Sequence, residues 1–389
     1  MQDHIYFFLP DVNGGVASII NNIISYGNPV SGVSVIAYTD KRSKRPAAFF
    51  LNTGNVKINK FEYCSFDNLF NYLKKLKDLI KTDDPVFVAT DSVELQMADL
   101  MKLDNKLVFI VFGDFDHYYA LALKHQNIIN RFIAISKDIY NNLLLYLPDR
   151  KEDIALAYFP TPDVLTTKKL SRNGNLKILY VARFEPSKDP LQLPVIDRIL
   201  KESGVKVNWT IVGSGPLEQI FKETILQSGA DNFSFMGMVA NDKLHDLYMS
   251  QDIFIMTSLS EGLPVSLIEA MKSGLVPVVS NIAGGIREIV VDGKNGFLNK
   301  PGEAGDFAKN LINLHENPDL LEQLSQNAIS SVKVQFDPYK NSSHYFDLIQ
   351  STVFVKGKKK FGHATNRLDK KWIPSFIVRN IRKLKSRLS

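Results

Sequence analysis

The chain has 389 residues, 45% hydrophobic and 23% charged, which is too long for one ordinary domain and apolar enough for two packed cores. Its single cysteine, Cys64, excludes an internal disulfide and fits a reducing compartment. The net charge of +6 is unevenly placed: residues 356–389 hold twelve Lys or Arg and one acid, Asp369, hence +11, leaving −5 for the body and arguing against a nucleic-acid-binding fold.

The opening residues MQDHIYFFLPDV carry an acid at Asp3 and end their apolar run at Pro10, so no signal peptide is read there, and secretion is not expected. No later apolar run is long enough to span a bilayer. IYFFLP, VSVIAYT, PVFVAT, KLVFIVF, RFIAIS and IALAYF are continuous apolar runs, the pattern of strands buried on both faces. Helical segments such as ASIINNIISYG, DNLFNYLKKLKDLI and KDIYNNLLLYL lie between them, and this rhythm predicts a parallel sheet covered by helices. It breaks at PTPDVLTTKKLSRNGN, read as a linker, and restarts with KILYVARF, KVNWTIVGSG, NFSFMG, DIFIMTS and LVPVVS. The expected organisation is a Rossmann-like domain over 1–165, a second over 175–335, a helix over 336–355 returning to the first, and a basic tail over 356–389. Ligands of such doubly wound α/β sheets bind outside the carboxyl ends of the strands.

The segment SEGLPVSLIEAMKSG places Glu261 in the loop after the strand DIFIMTS and Glu269 on the following helix, with Pro264 at its first position and Gly274 just past its end. At 1.5 Å per residue, Glu269 is roughly one and a half turns below the helix start. The helix N-terminus suits a phosphate, so an anion site lies between two hydrogen-bond acceptors, as a ribose–diphosphate–sugar would require. The plainer reading makes Glu261 a solvated loop residue and Glu269 a surface residue, although Glu269 falls among Leu267, Ile268, Ala270 and Met271. RFEPSK adds Arg183 and Lys188 in a strand-to-helix loop, where a diphosphate needs cations. VGSGP offers Gly213 and Gly215 for close backbone approach, but Glu218 stands where a dinucleotide fingerprint has its third Gly. DVNGGVAS puts Gly14 and Gly15 in the first strand-to-helix turn, near a phosphate or simply in a tight turn. Met236, Met238 and Met256 read as packing, and Gly284 with Gly285 as a turn.

In this order the segments resemble the retaining nucleotide-sugar glycosyltransferases of family 4 (glycosyl transferases group 1), an α/β family of GT-B fold with two doubly wound Rossmann-like domains facing across a cleft. The resemblance runs from NGGV to about Phe336. It rests above all on the E-x7-E of EGLPVSLIEA, followed by GLVPVVS and AGGIREIVVDGKNGFL, and on the Arg-x4-Lys of RFEPSK. It implies a retaining, hexosyltransferase-type enzyme with a nucleotide-sugar donor, no cofactor and no metal. Arg183 and Lys188 would hold the donor diphosphate. Glu261, with the backbone around Gly262, Leu263 and Pro264, would face the transferred sugar, and Glu269 would take the ribose hydroxyls. Gly237, Met238 and Val239 would lie against the base, Gly213 near the donor, and Gly15 over the phosphates. Leaving-group charge would be stabilised by the cations and the helix N-terminus. Many members carry a His after the fourth or fifth strand of the first domain. Here the aligned position is Phe112 in VFIVFGDFDHYY. His117 or an Asp such as Asp114 is then the acceptor-side candidate, against a plain loop role for His117.

In the tail, Ile373, Ile377, Ile381, Leu384 and Leu388 form one helical stripe, with Arg379, Arg382, Lys383, Lys385 and Arg387 on the remaining face and Trp372 at its entry. A basic amphipathic helix of this kind suits an anionic membrane surface, or else packs on the acidic body. KRSKR, at 41–45, is a second basic patch, solvated or adding to such contacts. The expectation is a cytoplasmic enzyme at the inner face of the membrane, acting on a glycan or lipid-linked acceptor in surface polysaccharide assembly. The alternatives are a nucleotide-sugar epimerase or hydrolase of the same fold and a catalytically silent partner subunit. A two-domain solute-binding protein would need an export signal.

Overall fold

The computed structural model describes residues 3–12, 14–27, 32–43, 56–164, 174–353, 361 and 368–388, and not the side chains of 241, 242, 387 and 388. The chain divides into two compact units, Met1–Pro160 with Pro338–Ser389, and Thr161–Asp337.

Unit 1 begins with β1 (Ile5–Pro10), α1 (Gly15–Gly27), β2 (Val33–Asp40), β3 (Lys57–Tyr63) and α2 (Leu69–Lys77). It continues through β4 (Val86–Ala89), α3 (Ser92–Leu100), β5 (Lys106–Val111), α4 (Asp116–His125), β6 (Arg131–Ala134), α5 (Lys137–Tyr146) and β7 (Ile154–Leu156). These strands form one parallel sheet of order β3-β2-β1-β4-β5-β6-β7. β1, β4 and β5 are buried almost throughout, which explains their uninterrupted apolar sequences. β3, KINKFEY, was not legible as a strand: it lies at the sheet edge with only Phe61 buried, so it carries no apolar run.

Unit 2 holds β8 (Leu176–Val181), α6 (Gln192–Glu202), β9 (Val207–Val212), α7 (Glu218–Gln227), β10 (Phe233–Gly237) and α8 (Asn241–Ser250). β11 (Ile253–Met256), α9 (Val265–Lys272), β12 (Val276–Ser280), α10 (Ile286–Ile289), β13 (Phe297–Asn299), α11 (Ala304–Glu316) and α12 (Pro318–Gln335) complete it. Its parallel sheet has the order β10-β9-β8-β11-β12-β13. β13, three residues at the edge, was also absent from the predicted strands. In each sheet the strand order reverses once, between β1 and β4 and between β8 and β11, and such switch points open a crevice at the strands' carboxyl ends. Most of the expected linker, 165–173, lies outside the described residues, as do Lys44 and Arg45 of KRSKR.

After α12 the chain returns to unit 1 as α13 (Pro338–Gln350) and α14 (Ser375–Leu388). α13 is fastened by Tyr345 Oη donating to Ala157 O at 2.8 Å and Ser342 Oγ to Asn22 O at 3.2 Å. The tail departs from the predicted stripe. Ile373 precedes the helix, which packs on unit 1 through Val378 and its arginines, while Ile377 and Leu384 face outward. Arg379 forks onto Asp67 at 2.5 and 2.9 Å, and Arg382 reaches Asp369 at 2.6 Å and Asp67 O at 2.7 Å. No helix among the described residues is long and apolar enough to cross a membrane.

Candidate active site

The loops after β8 and β11, at the switch point of unit 2, bring Arg183, Lys188 and Glu261 to the same end of the sheet. Lys188 Nζ lies 2.7 Å from Glu261 Oε2 and donates to Ser260 O at 3.3 Å. The other Glu261 oxygen accepts from Ser258 Oγ at 2.7 Å, so the carboxylate is held at both ends. Two hydroxyls fix the turn bearing Lys188: Thr257 Oγ1 donates to the carbonyls of Lys188 and Asp189 at 3.1 and 2.9 Å, and Tyr180 Oη to Lys188 O at 3.3 Å. Asp189 closes that turn at φ 41°, a conformation costly for a non-glycine residue. Leu259 N donates to Ser187 O at 2.8 Å and stitches the two loops together. Arg183 is turned onto Glu185, 2.5 Å away.

Pro264 stands at the N-cap of α9 rather than at its first helical position as predicted, because its ψ of 116° is extended and the helix begins at Val265. No side chain caps α9, so its first N–H groups point out of the helix end beside Gly262 and Leu263. Gly274 follows the helix at φ 78°, as its sequence position implied. Glu269 sits little more than one turn into α9, and Tyr248 Oη, buried on α8, donates to its Oε2 at 3.1 Å. Burial pushes the Glu269 carboxyl up to about 7, opposed by the Tyr248 hydrogen bond.

The glycines of VGSGP pass close to the backbone of the loop after β8. A Cβ on Gly213 would meet Ala182 O at 1.9 Å, and one on Gly215 would meet Phe184 O at 2.7 Å. Gly284 has the same role against the catalytic candidate: its φ is 99° and a Cβ there would lie 2.0 Å from Glu261 O. It is therefore more than the turn residue its sequence suggested. Met238 is exposed and Val239 half-buried after β10; Met236 is also exposed, so of the three methionines read as packing only Met256 is core.

In unit 1, Gly15 opens α1 after β1. Phe112, aligned with the family histidine, is buried. His117 is exposed near the start of α4, its Nε2 3.2 Å from Asp91 Oδ1. Asp114 is engaged elsewhere, accepting from Tyr119 Oη and from Asn142 Nδ2 at 2.9 Å. The sequence reading passed over Asp91 and Glu94, although DSVE is a capping-box pattern. Asp91 caps α3, while Glu94 accepts from the backbone N–H groups of Thr90 and Asp91 at 2.5 and 2.7 Å and from Tyr38 Oη at 2.7 Å. Burial, reinforced by Asp91, pushes Glu94 up to about 8. Tyr248 and Ser258 were likewise unread, since nothing local marks a tyrosine on one helix as the partner of a glutamate on another.

Residues 165–331 match the family model of glycosyl transferases group 1. The match covers most of unit 2. An uncharacterized glycosyltransferase of Haemophilus influenzae is 26% identical across 69% of this chain and 77% of its own length. The amylovoran biosynthesis glycosyltransferase AmsK of Erwinia amylovora is 31% identical across 42% of each chain. For most of the curated relatives the match spans about half of their length or less. HepE of Anabaena, solved with UDP and glucose, superposes with a TM-score of 0.73 at 18% identity, over 90% of this chain and all of HepE. The chain has the GT-B fold.

Proposed function

We propose that the protein is a retaining, hexosyltransferase-type glycosyltransferase that moves a sugar from a nucleotide-sugar donor to a glycan or lipid-linked acceptor in surface polysaccharide assembly. The observation that carries this reading is the Lys188–Glu261 pair at the β8/β11 switch point, beside the uncapped N-terminus of α9 and the Tyr248-held Glu269. Cation, helix N-terminus and acceptor carboxylate match diphosphate, leaving-group charge and ribose hydroxyls in turn. Support also comes from the relatives: HepE was solved with UDP and glucose, and AmsK is named for amylovoran biosynthesis.

In this reading Lys188 and Arg183 neutralise the diphosphate as the glycosidic bond breaks. Ligand phosphate competes with Glu185 for Arg183 and with Glu261 for Lys188. Glu261 then orients the sugar hydroxyls, and Glu269 presents its second oxygen to the ribose. The reaction draws on no cofactor or metal, because these groups supply the charge stabilisation. His117, paired with Asp91, is the acceptor-side candidate; Asp114, committed to Tyr119 and Asn142, is the weaker one. The enzyme works at the cytoplasmic face of the membrane, peripherally bound.

Titration with UDP, GDP and ADP, followed by thermal unfolding, tests the donor site. Ligand at a hundred times its dissociation constant adds about 2.7 kcal/mol to stability. A shift with one nucleotide, lost in Arg183→Ala and Glu269→Ala, supports the reading, and the absence of any shift overturns it. The anomeric configuration of the product, read by NMR, decides retention.

A further inference from the structure

α14 is packed the opposite way round from an ordinary surface helix. Such a helix buries its apolar stripe and shows its charges. Here Arg379 and Arg382 face the body and are consumed by Asp67, Asp369 and backbone carbonyls, with Val378 the one fully buried apolar residue among the described side chains of the helix. Phe376, Ile377, Asn380, Lys383 and Leu384 are the exposed residues opposite, and at 100° per residue they share one face. Phe376 is 65% exposed, Leu384 60%, and Trp372 just before the helix 80%. The docking is specific: Asn68 Nδ2 donates to Lys370 O and Ile373 O at 2.8 and 2.7 Å, and Leu69 N to Asp369 Oδ1 at 3.0 Å. The outward apolar face is thus the consequence of a built anchor.

α2 enlarges this surface. Its Phe70 lies 5.7 Å from Lys371 Nζ, and Asn71 Nδ2 donates to Ser375 Oγ at 2.9 Å, so that face of α2 abuts the tail. Lys74 and Lys77 follow Phe70 at i+4 and i+7, with Lys75 flanking them, and all three are exposed. Lys74, Lys75, Lys77, Lys383 and Lys385 form no ion pair among the described residues.

We infer that α14 and α2 together form a fixed platform for an anionic lipid bilayer surface. Trp372, Phe376, Ile377 and Leu384 enter the headgroup boundary, and the lysines of both helices contact the phosphates. An aromatic ring and aliphatic side chains rimmed by unpaired lysines are what an anionic interface takes up. A second copy of the chain is disfavoured, because a two-fold contact through this face would bring like charges together. The platform differs from a loose basic tail in that α2 takes part and orients unit 1 on the bilayer. It deepens the peripheral membrane attachment proposed above and is independent of the sugar-transfer chemistry.

The test is flotation of the full chain with vesicles of phosphatidylglycerol and phosphatidylcholine, against phosphatidylcholine alone, at low and high salt. Unfolding temperature and UDP binding serve as controls for each variant. Wild type is expected to float only with the anionic vesicles and to be released by salt. Lys74→Glu/Lys75→Glu/Lys77→Glu and Trp372→Ser/Phe376→Ser/Leu384→Ser should each weaken partitioning at least about tenfold while keeping fold and nucleotide binding. Failure of wild type to float overturns the proposal. Unchanged flotation of the α2 variant overturns the shared platform, and a concentration-dependent dimer lost in Leu384→Ser without vesicle binding assigns the face to a second copy.

Discussion

Glu261 is gripped from two sides: Lys188 Nζ stands 2.7 Å from Oε2, and Ser258 Oγ donates to Oε1 at 2.7 Å. Both members of the ion pair are mostly buried, so truncating one leaves a poorly solvated charge. Lys188→Met and Glu261→Gln should each cost about 1.5–3 kcal/mol of folding stability. The double variant should cost less than the sum by at least about 0.5 kcal/mol, because the coupling is lost only once. Urea unfolding of the four proteins checks this, and strict additivity would mean that the pair contributes nothing jointly.

How far this site could be read from sequence depended on whether its parts are local. Glu261 and Glu269 stand in one short segment with its own helix start, and Arg183 and Lys188 in one loop, so their positions on loop and helix were legible locally while their donor roles came from the family resemblance. The central strands were legible for a similar reason, since burial on both faces writes an unbroken apolar run. β3 and β13 lie at sheet edges, where KINKFEY and FLN carry no such signature. Tyr248 meets Glu269 across two helices, and Gly284 meets Glu261 across a β-strand crossover, relations that exist only after folding. The orientation of the tail helix was not legible for another reason. Its periodicity was real, but periodicity does not say which side faces the body, and Asp67 and Asp369 decided that.

Glu269 links donor binding to pH. Its carboxyl is held up at about 7 by burial, whereas in the unfolded chain it titrates at about 4.3. Between those values the folded state binds the extra proton, so stability contributed at this position falls as pH rises through that window. Glu269→Gln removes the burden and should raise the unfolding temperature more at pH 8 than at pH 5, while weakening nucleotide binding. Tyr248→Phe deletes a hydrogen bond that favours the carboxylate, and should move the pH midpoint of UDP affinity upward. Calorimetric titration across pH checks both; a midpoint unmoved by Tyr248→Phe would remove Tyr248 from this role.

Gly284 and Gly302 separate backbone strain from steric intrusion. Both have positive φ, 99° and 78°, but a Cβ on Gly302 meets nothing within 4 Å, whereas one on Gly284 meets Glu261 O at 2.0 Å. Gly302→Ala should cost only the left-handed penalty, roughly 1–2 kcal/mol, with donor affinity intact. Gly284→Ala should cost more and should also displace the Glu261 loop, raising the dissociation constant for the nucleotide sugar several-fold. Equal effects of the two substitutions would show that the contact with Glu261 does not matter.

Lys272 lies three residues beyond Glu269 on α9 and is itself buried, with all three ammonium protons placed. Nζ donates to Thr161 O at 2.6 Å, to Asp163 Oδ1 at 2.7 Å and to Phe336 O at 2.9 Å. Thr161 and Phe336 lie where the chain enters and leaves unit 2, and Thr161 N also donates to Phe336 O at 3.2 Å. One cation therefore ties the helix bearing Glu269 to both ends of its unit. Lys272→Met keeps the aliphatic stem but strands Thr161 O and deprives Asp163 and Phe336 O of their shared donor, and should destabilise the protein by about 2–4 kcal/mol. Lys272→Arg should not restore it, since a planar fork does not fit three acceptors converging on one point. Because no donor contact is assigned to Lys272, the protein that remains folded should bind nucleotide with near wild-type affinity. Chemical denaturation alongside calorimetry distinguishes this from a direct role: lost affinity with unchanged stability would place Lys272 in the donor site instead.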